Sequence, residues 1–136
     1  MKTVKNKAAS ARARLLNQAK AGNADVNWLM TRYGLERLLY RLGASEWHGQ
    51  FLLKGALLFD LWFDHPMRPT TDIDLLGFGS PELEHLRQVF QSVCAMACED
   101  GILFDPGSVR VAEIRRLRKA PLHVIVLRTE YVECWQ

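Results

Sequence analysis

The chain has 136 residues, 49% of them apolar and 24% charged, with a net charge of +3. That length suits one compact domain with a real core, and the composition excludes a disordered, collagen-like or disulfide-dense chain. No apolar run approaches the roughly 18 residues of a membrane span. The start lacks a signal-peptide stretch and the odd cysteine count suits a reducing compartment, so a cytoplasmic protein without a membrane partner is expected.

Positive charge is unevenly spread. Lys2, Lys5, Lys7, Arg12, Arg14 and Lys20 all precede the first acid, Asp25. Arg110, Arg115, Arg116, Arg118 and Lys119 form a second block, interrupted by Glu113. Such patches attract nucleic-acid phosphates, and solvated helix faces carry them as well.

Residues 6–21, rich in Ala, Leu, Arg and Gln, predict a first helix that Gly22-Asn23 ends. Asp25 caps a second, whose Val26, Leu29, Met30, Tyr33, Leu38, Leu39 and Leu42 recur at helical spacing. Arg32, Glu36, Arg37 and Arg41 fall on its wetter side, and Gly43 suits its C-terminal cap. Phe51-Leu52-Leu53 predicts a buried strand stopping at Lys54-Gly55 and turning into a short helix, Ala56 to Trp62. Phe63 to Thr71, with Pro66 and Pro69, is a loop, and Asp72 to Phe78 alternates as a second strand. Ser80-Pro81-Glu82 predicts a helix start, and that helix runs to about Glu99 with Leu83, Leu86, Val89, Phe90, Val93 and Ala97 inward. After the turn at Asp105-Pro106-Gly107, Val109 to Val111 and Leu122 to Leu127 read as strands. The order predicts a mixed α/β (α+β) domain over residues 1–136, a mixed sheet flanked by helices. Within it lie N-terminal helices at 6–43, a core at 51–112 and an atypical tail at 113–136.

The sharpest chemical feature is Asp72-Ile73-Asp74. On a strand, residues two apart share a face, so both carboxylates project one way while Ile73 enters the core. Mg²⁺ takes hard oxygen ligands, keeps several waters and shares its remaining positions with substrate phosphates, so such a pair suits it. Seventeen residues upstream, Gly55 stands at a strand-to-helix turn, where backbone N–H groups approach a phosphate closely. Lys54 and Arg68 can supply positive charge to a triphosphate. Asp60 and Asp64 are near in sequence without belonging to the pattern. Cys94 and Cys98, four apart on the predicted helix, read as core thiols, and His48, His65, His85 and His123 form no zinc spacing. Trp28, Trp47 and Trp62 read as packing between helices.

The stretch FLLKGALLFDLWFDHPMRPTTDIDLLGFG resembles the signature of the AbiEii/AbiGii-type toxin nucleotidyltransferases. The matching residues are Lys54-Gly55-Ala56 and Arg68-Pro69-Thr70-Thr71-Asp72-Ile73-Asp74, and upstream RYGLERLLYRL is similar to the family's N-terminal helices. The resemblance implies a polymerase-β-like nucleotidyltransferase fold, with a nucleoside triphosphate as substrate and Mg²⁺ or Mn²⁺ as cofactor. It also implies an RNA acceptor, tRNA 3′ ends among them, a cognate antitoxin, and service in abortive infection. It assigns Asp72 and Asp74 to metal binding and catalysis. Lys54, Gly55, Ala56 and Arg68 are assigned to nucleotide binding, and Thr70 to shaping the loop.

The sequence also departs from that family. Its turn is Gly-Ala where many nucleotidyltransferases have Gly-Gly or Gly-Ser. Pro121-Leu122-His123-Val124-Ile125 resembles the strand of the third acid, with Ile125 where an aspartate is expected, and Glu113, Glu130 and Glu133 lie outside the pattern. The expectation is therefore the N-terminal part of a longer toxin, truncated or frame-shifted. Two alternatives accompany the enzyme: an inactive relative that binds nucleotide or antitoxin, and a basic nucleic-acid-binding module.

Overall fold

Helix α1 (Lys7–Gly22) is stopped at both ends by asparagine. The Asn6 side-chain oxygen accepts the Ala9 amide at 3.0 Å, and Asn23 takes the left-handed conformation at φ 51°. The computed structural model describes residues 6–55, 72–112 and 123–128, the last six as backbone. The buried side of α1 is Ala8, Ala11, Leu15 and Ala19, one stripe at three- and four-residue spacing. Helix α2 (Val26–Ala44) is capped by Asp25, which accepts the Asn27 amide at 2.9 Å.

Strands β1 (Phe51–Lys54), β2 (Asp72–Gly77) and β3 (His123–Arg128) form one sheet with β2 at its centre, antiparallel to both neighbours. Helix α3 (Leu83–Ala95) follows β2. The two halves of α2 have different partners. Its first half, through Val26, Trp28, Leu29, Met30 and Tyr33, packs with Leu15 and Ala19 of α1. Its second half puts Leu35, Leu38 and Leu42 against Ile73 and Leu75 of β2 and Val89, Phe90 and Val93 of α3. Phe51 joins from β1, its ring 5.6 Å from that of Phe90. The helices thus cover one face of the sheet, giving the mixed α+β architecture expected. Among the described residues no helix is long and apolar enough to cross a membrane.

The structure corrects several local expectations. Helix α2 runs through Gly43 and stops at Ser45, whose hydroxyl donates to the Leu42 carbonyl at 2.6 Å. Helix α3 begins at Leu83, because Ser80 accepts the Glu82 amide at 3.3 Å and shapes the approach to the helix. It ends at Ala95, so Ala97 is exposed and Cys98 lies beyond the helix that carries Cys94. Leu83 is also exposed. Val109–Val111 forms no strand and follows a short 3₁₀ turn at Pro106–Ser108. The expected helix at 56–62, the loop at 63–71 and the tail at 113–136 other than β3 lie outside the described residues.

The largest correction is Arg41, expected on the wet side of α2 and only 1% exposed. Its guanidinium meets Asp100 at 3.0 Å and 3.1 Å, through one nitrogen to each carboxylate oxygen. It also donates to the carbonyls of Ile102 at 3.0 Å and of Met96 and Arg37 at 3.3 Å, and lies 4.8 Å over the Phe104 ring. Arg37 adds a 2.7 Å bond to Asp100, and the Tyr33 hydroxyl donates to the Asp100 carbonyl at 2.8 Å. One helix face therefore clamps the segment that follows α3. Next to the clamp, Gly101 has φ +82°, and a Cβ there would lie 2.7 Å from the Ala8 Cα, so α1 rests directly on this turn.

Removing one partner from a buried ion pair strands the other. Arg41→Met is expected to lose on the order of 3–5 kcal/mol in urea unfolding. Burial raises the Asp100 pKa, but hydrogen bonds from Arg37, the Ile102 amide and Arg41 outweigh it and hold the carboxyl below its ordinary value. The resulting stability is complete above the unfolded-state pKa near ~3.9 and is lost as pH falls through the lower folded value. Unfolding free energies measured across pH should therefore drop below about pH 4, and Asp100→Asn should flatten that part of the curve. Gly101→Ala meets backbone, so besides the roughly 1–3 kcal/mol of dihedral strain it should loosen α1. Faster amide exchange confined to residues 7–22 would show this.

Candidate active site

Alternation along β2 divides its side chains cleanly. Ile73 and Leu75 are 0% and 1% exposed inside the core. Asp72 and Asp74 fall on the face away from the helices, both half-buried. Strand β1 pairs with β2 so that Lys54 stands directly opposite Asp74 and Leu52 opposite Leu76. Lys54 therefore shares the carboxylate face, while Leu53, opposite Leu75, packs against the core.

Gly55 ends this arrangement. Its φ is +80°, and a Cβ built on it would lie 2.6 Å from Asp74 Oδ2 and 3.3 Å from the Asp74 Cβ. The chain leaving β1 crosses the Asp74 carboxylate so closely that only glycine fits. A peptide turn in van der Waals contact with an acid, beside a lysine, can present backbone N–H groups to an anion held by that acid's metal. Among the described residues neither Asp74 nor Lys54 takes part in a salt bridge. Two same-face carboxylates suit Mg²⁺, whose remaining positions go to water and phosphate oxygens. Among the described residues no group of three His, Cys, Asp or Glu side chains could hold a metal.

The β2–β3 register shows where a third acid would have to stand. Asp74 pairs with Val126, Asp72 with Arg128, and Ile125 pairs with Leu75. Position 125 thus belongs to the core-facing alternation, and the positions in register with the acids are 126 and 128. The expected place of the missing aspartate, Ile125, therefore lies in register with Leu75 and with neither acid.

Of the residues singled out from sequence, the structure brings Lys54, Gly55, Asp72 and Asp74 together. Ala56 and Arg68 lie outside the described residues, as do Asp60, Asp64, Thr70, Glu113, Glu130 and Glu133. Sequence reasoning missed Gln50, whose carbonyl accepts the Phe78 amide at 2.8 Å and extends the β1–β2 ladder by one pair. It had a weak signal in Gly79, where a Cβ would lie 2.5 Å from the Gln50 Oε1. His48 Nδ1 lies 2.9 Å from the Ser45 carbonyl at the end of α2, a structural contact. Burial pushes the Cys94 thiol pKa up, which suits a packing residue.

Residues 37–130 match the family described as nucleotidyl transferase AbiEii toxin, type IV TA system. No curated protein and no solved structure matches the chain. The match spans most of the sequence and contains both the Lys54-Gly55 turn and the Asp72/Asp74 strand. The chain belongs to the AbiEii nucleotidyl transferase toxin family of type IV toxin–antitoxin systems.

Proposed function

We propose that this protein is a cytoplasmic, Mg²⁺-dependent nucleotidyltransferase that moves a nucleotidyl group from a nucleoside triphosphate to an RNA acceptor, with tRNA among the candidates. Family membership implies the nucleotide substrate and an antitoxin partner. The observation that carries the metal and nucleotide assignment is the contact between the Gly55 turn and the Asp74 carboxylate. Asp72 and Asp74 are the ligands for the metal, and Lys54, one register position across from Asp74, offsets charge on the triphosphate. Amides of the turn beginning at Gly55 hold phosphate oxygens, with Ala56 and Arg68 completing that side. Bound Mg²⁺ would polarise the α-phosphate and offset charge on the departing pyrophosphate. The acceptor hydroxyl oxygen attacks the α-phosphorus as the bond from phosphorus to the bridging oxygen of pyrophosphate breaks, and the hydroxyl proton passes to solvent. The core-facing Ile73 and Leu75 meanwhile fix the strand, and with it the spacing of the two acids.

Calorimetric titration of each NTP with Mg²⁺ tests this reading. The wild type should bind at least one NTP, and Asp72→Asn/Asp74→Asn should abolish the binding. Gly55→Ala drives a methyl group into the Asp74 carboxylate and should weaken NTP affinity by about tenfold or more; the positive φ adds roughly 1–3 kcal/mol of strain, so the thermal midpoint should fall by several degrees while unfolding stays cooperative. A wild type that binds no NTP would overturn the assignment.

A second reading, an inactive relative that retains nucleotide or antitoxin binding, is favoured by one observation. The β3 positions in register with Asp74 and Asp72 are Val126 and Arg128, neither of them an acid. Val126→Asp puts a carboxylate at the position paired with Asp74. Wild type that binds NTP without transfer, together with transfer in Val126→Asp, would establish the second reading. Transfer by the wild type would dismiss it.

A further inference from the structure

Helix α1 lies wholly outside residues 37–130, so nothing in the family match accounts for it. It is held by the small stripe Ala8, Ala11, Leu15 and Ala19 and by its seat on Gly101, and none of its basic side chains is needed for that packing. At 100° per residue, Arg12 and Lys20 fall on one flank of the exposed surface, roughly 80° apart, and Lys7 and Arg14 on the other, roughly 20° apart. All four residues are exposed. The ridge between the flanks carries the exposed, uncharged Ser10, Asn17 and Ala21.

A merely solvated helix face mixes both signs of charge, usually at four-residue spacing. Here no acid occurs from Asn6 to Ala24, and Lys2 and Lys5 continue the basic run in sequence. Among the described residues, the salt bridge made by α1 joins Lys7 to Glu99 at 3.7 Å, and Glu99 is itself 88% exposed, so a phosphate can readily displace it. Among the described residues Arg14 bonds only to Ser10, through the hydroxyl at 3.3 Å and the carbonyl at 3.5 Å.

We propose that the exposed face of α1, through Arg12, Arg14 and Lys20, docks the phosphodiester backbone of the RNA acceptor. The choice of RNA rests on the acceptor named under the proposed function, while the charge complementarity rests on the helix alone. Helix α1 packs on the first half of α2, a helix about 28 Å long whose second half meets the sheet. An acceptor engaging both α1 and the carboxylates must therefore reach from the helix layer to the opposite face of the sheet. The surface acts on acceptor binding and leaves the chemical step alone.

Binding of a tRNA-length RNA by the full chain, followed by fluorescence anisotropy across a salt series, tests this. Wild-type affinity should fall steeply with salt. Arg12→Gln/Arg14→Gln/Lys20→Gln should bind about tenfold or more weakly at low salt, with a log–log salt slope shallower by about 2–3. Arg12→Lys/Arg14→Lys/Lys20→Arg should bind as wild type does, and NTP titration of the Gln variant should be unchanged. Equal RNA affinity for the Gln variant and wild type would overturn the proposal. So would sensitivity to these substitutions only with anionic-lipid vesicles, or only with duplex DNA of the same length. Loss of RNA binding in the Gln variant, alongside no detectable transfer by the wild type, would support this surface and count against the transferase reading.

Discussion

The position of β2 depends on a buried charge carried by other elements. Arg41 and Asp100 tie the second half of α2 to the segment leaving α3, and this is the half of α2 that packs on Ile73 and Leu75. A buried ion pair is weak evidence of net stability, since desolvation consumes much of the Coulombic gain. Here the guanidinium is also saturated by three carbonyls and an aromatic face, and the carboxylate by Arg37 and a backbone amide. Such a set of donors and acceptors fits in only one arrangement of the helices, so its main effect is to specify the packing. Once α2 and α3 are fixed, one face of β2 is committed to the core, and strand alternation delivers the two aspartates to the other.

Much of this was legible in the amino-acid order. Asn23, Asp25 and the Leu35/Leu38/Leu42 spacing define α1 and α2 without reference to the rest of the chain, because capping and helical periodicity are local. The Asp72-Ile73-Asp74 alternation is local in the same way, and with Gly55 it located the candidate site. What could not be read depends on distant partners. Arg41 sits three residues after Leu38 and four after Arg37, squarely in the buried stripe, yet its charge argues for solvent until Asp100, 59 residues away, is known to face it. The end of α3 is another instance. Met96 leaves the helix where its carbonyl accepts from Arg41, a stop signal that no neighbouring residue carries.

Register is the other property that sequence withheld. A one-residue shift along a strand moves a side chain to the opposite face. From motif likeness alone, Ile125 looked like the displaced third acid. In the β2–β3 pairing the position opposite Asp74 is 126, and 125 lies opposite Leu75. The contact between Gly55 and Asp74 likewise joins two parts of one motif that sequence could only place 19 positions apart. It explains why the turn needs glycine there, whatever residue follows.

These constraints separate the molecule into parts that fail differently. Arg41, Asp100 and Gly101 act on the helix layer, so their loss unfolds or loosens the scaffold before it touches chemistry. Gly55, Asp72, Asp74 and Lys54 face away from that layer and contribute little apolar packing, so their substitution can remove ligand binding from an intact fold. Helix α1 belongs to neither part. Its buried stripe of Ala8, Ala11, Leu15 and Ala19 joins it to the scaffold, and among the described residues the salt bridge its charges make is the exposed Lys7–Glu99 pair. That division makes the roles of scaffold, site and docking face separable by substitution.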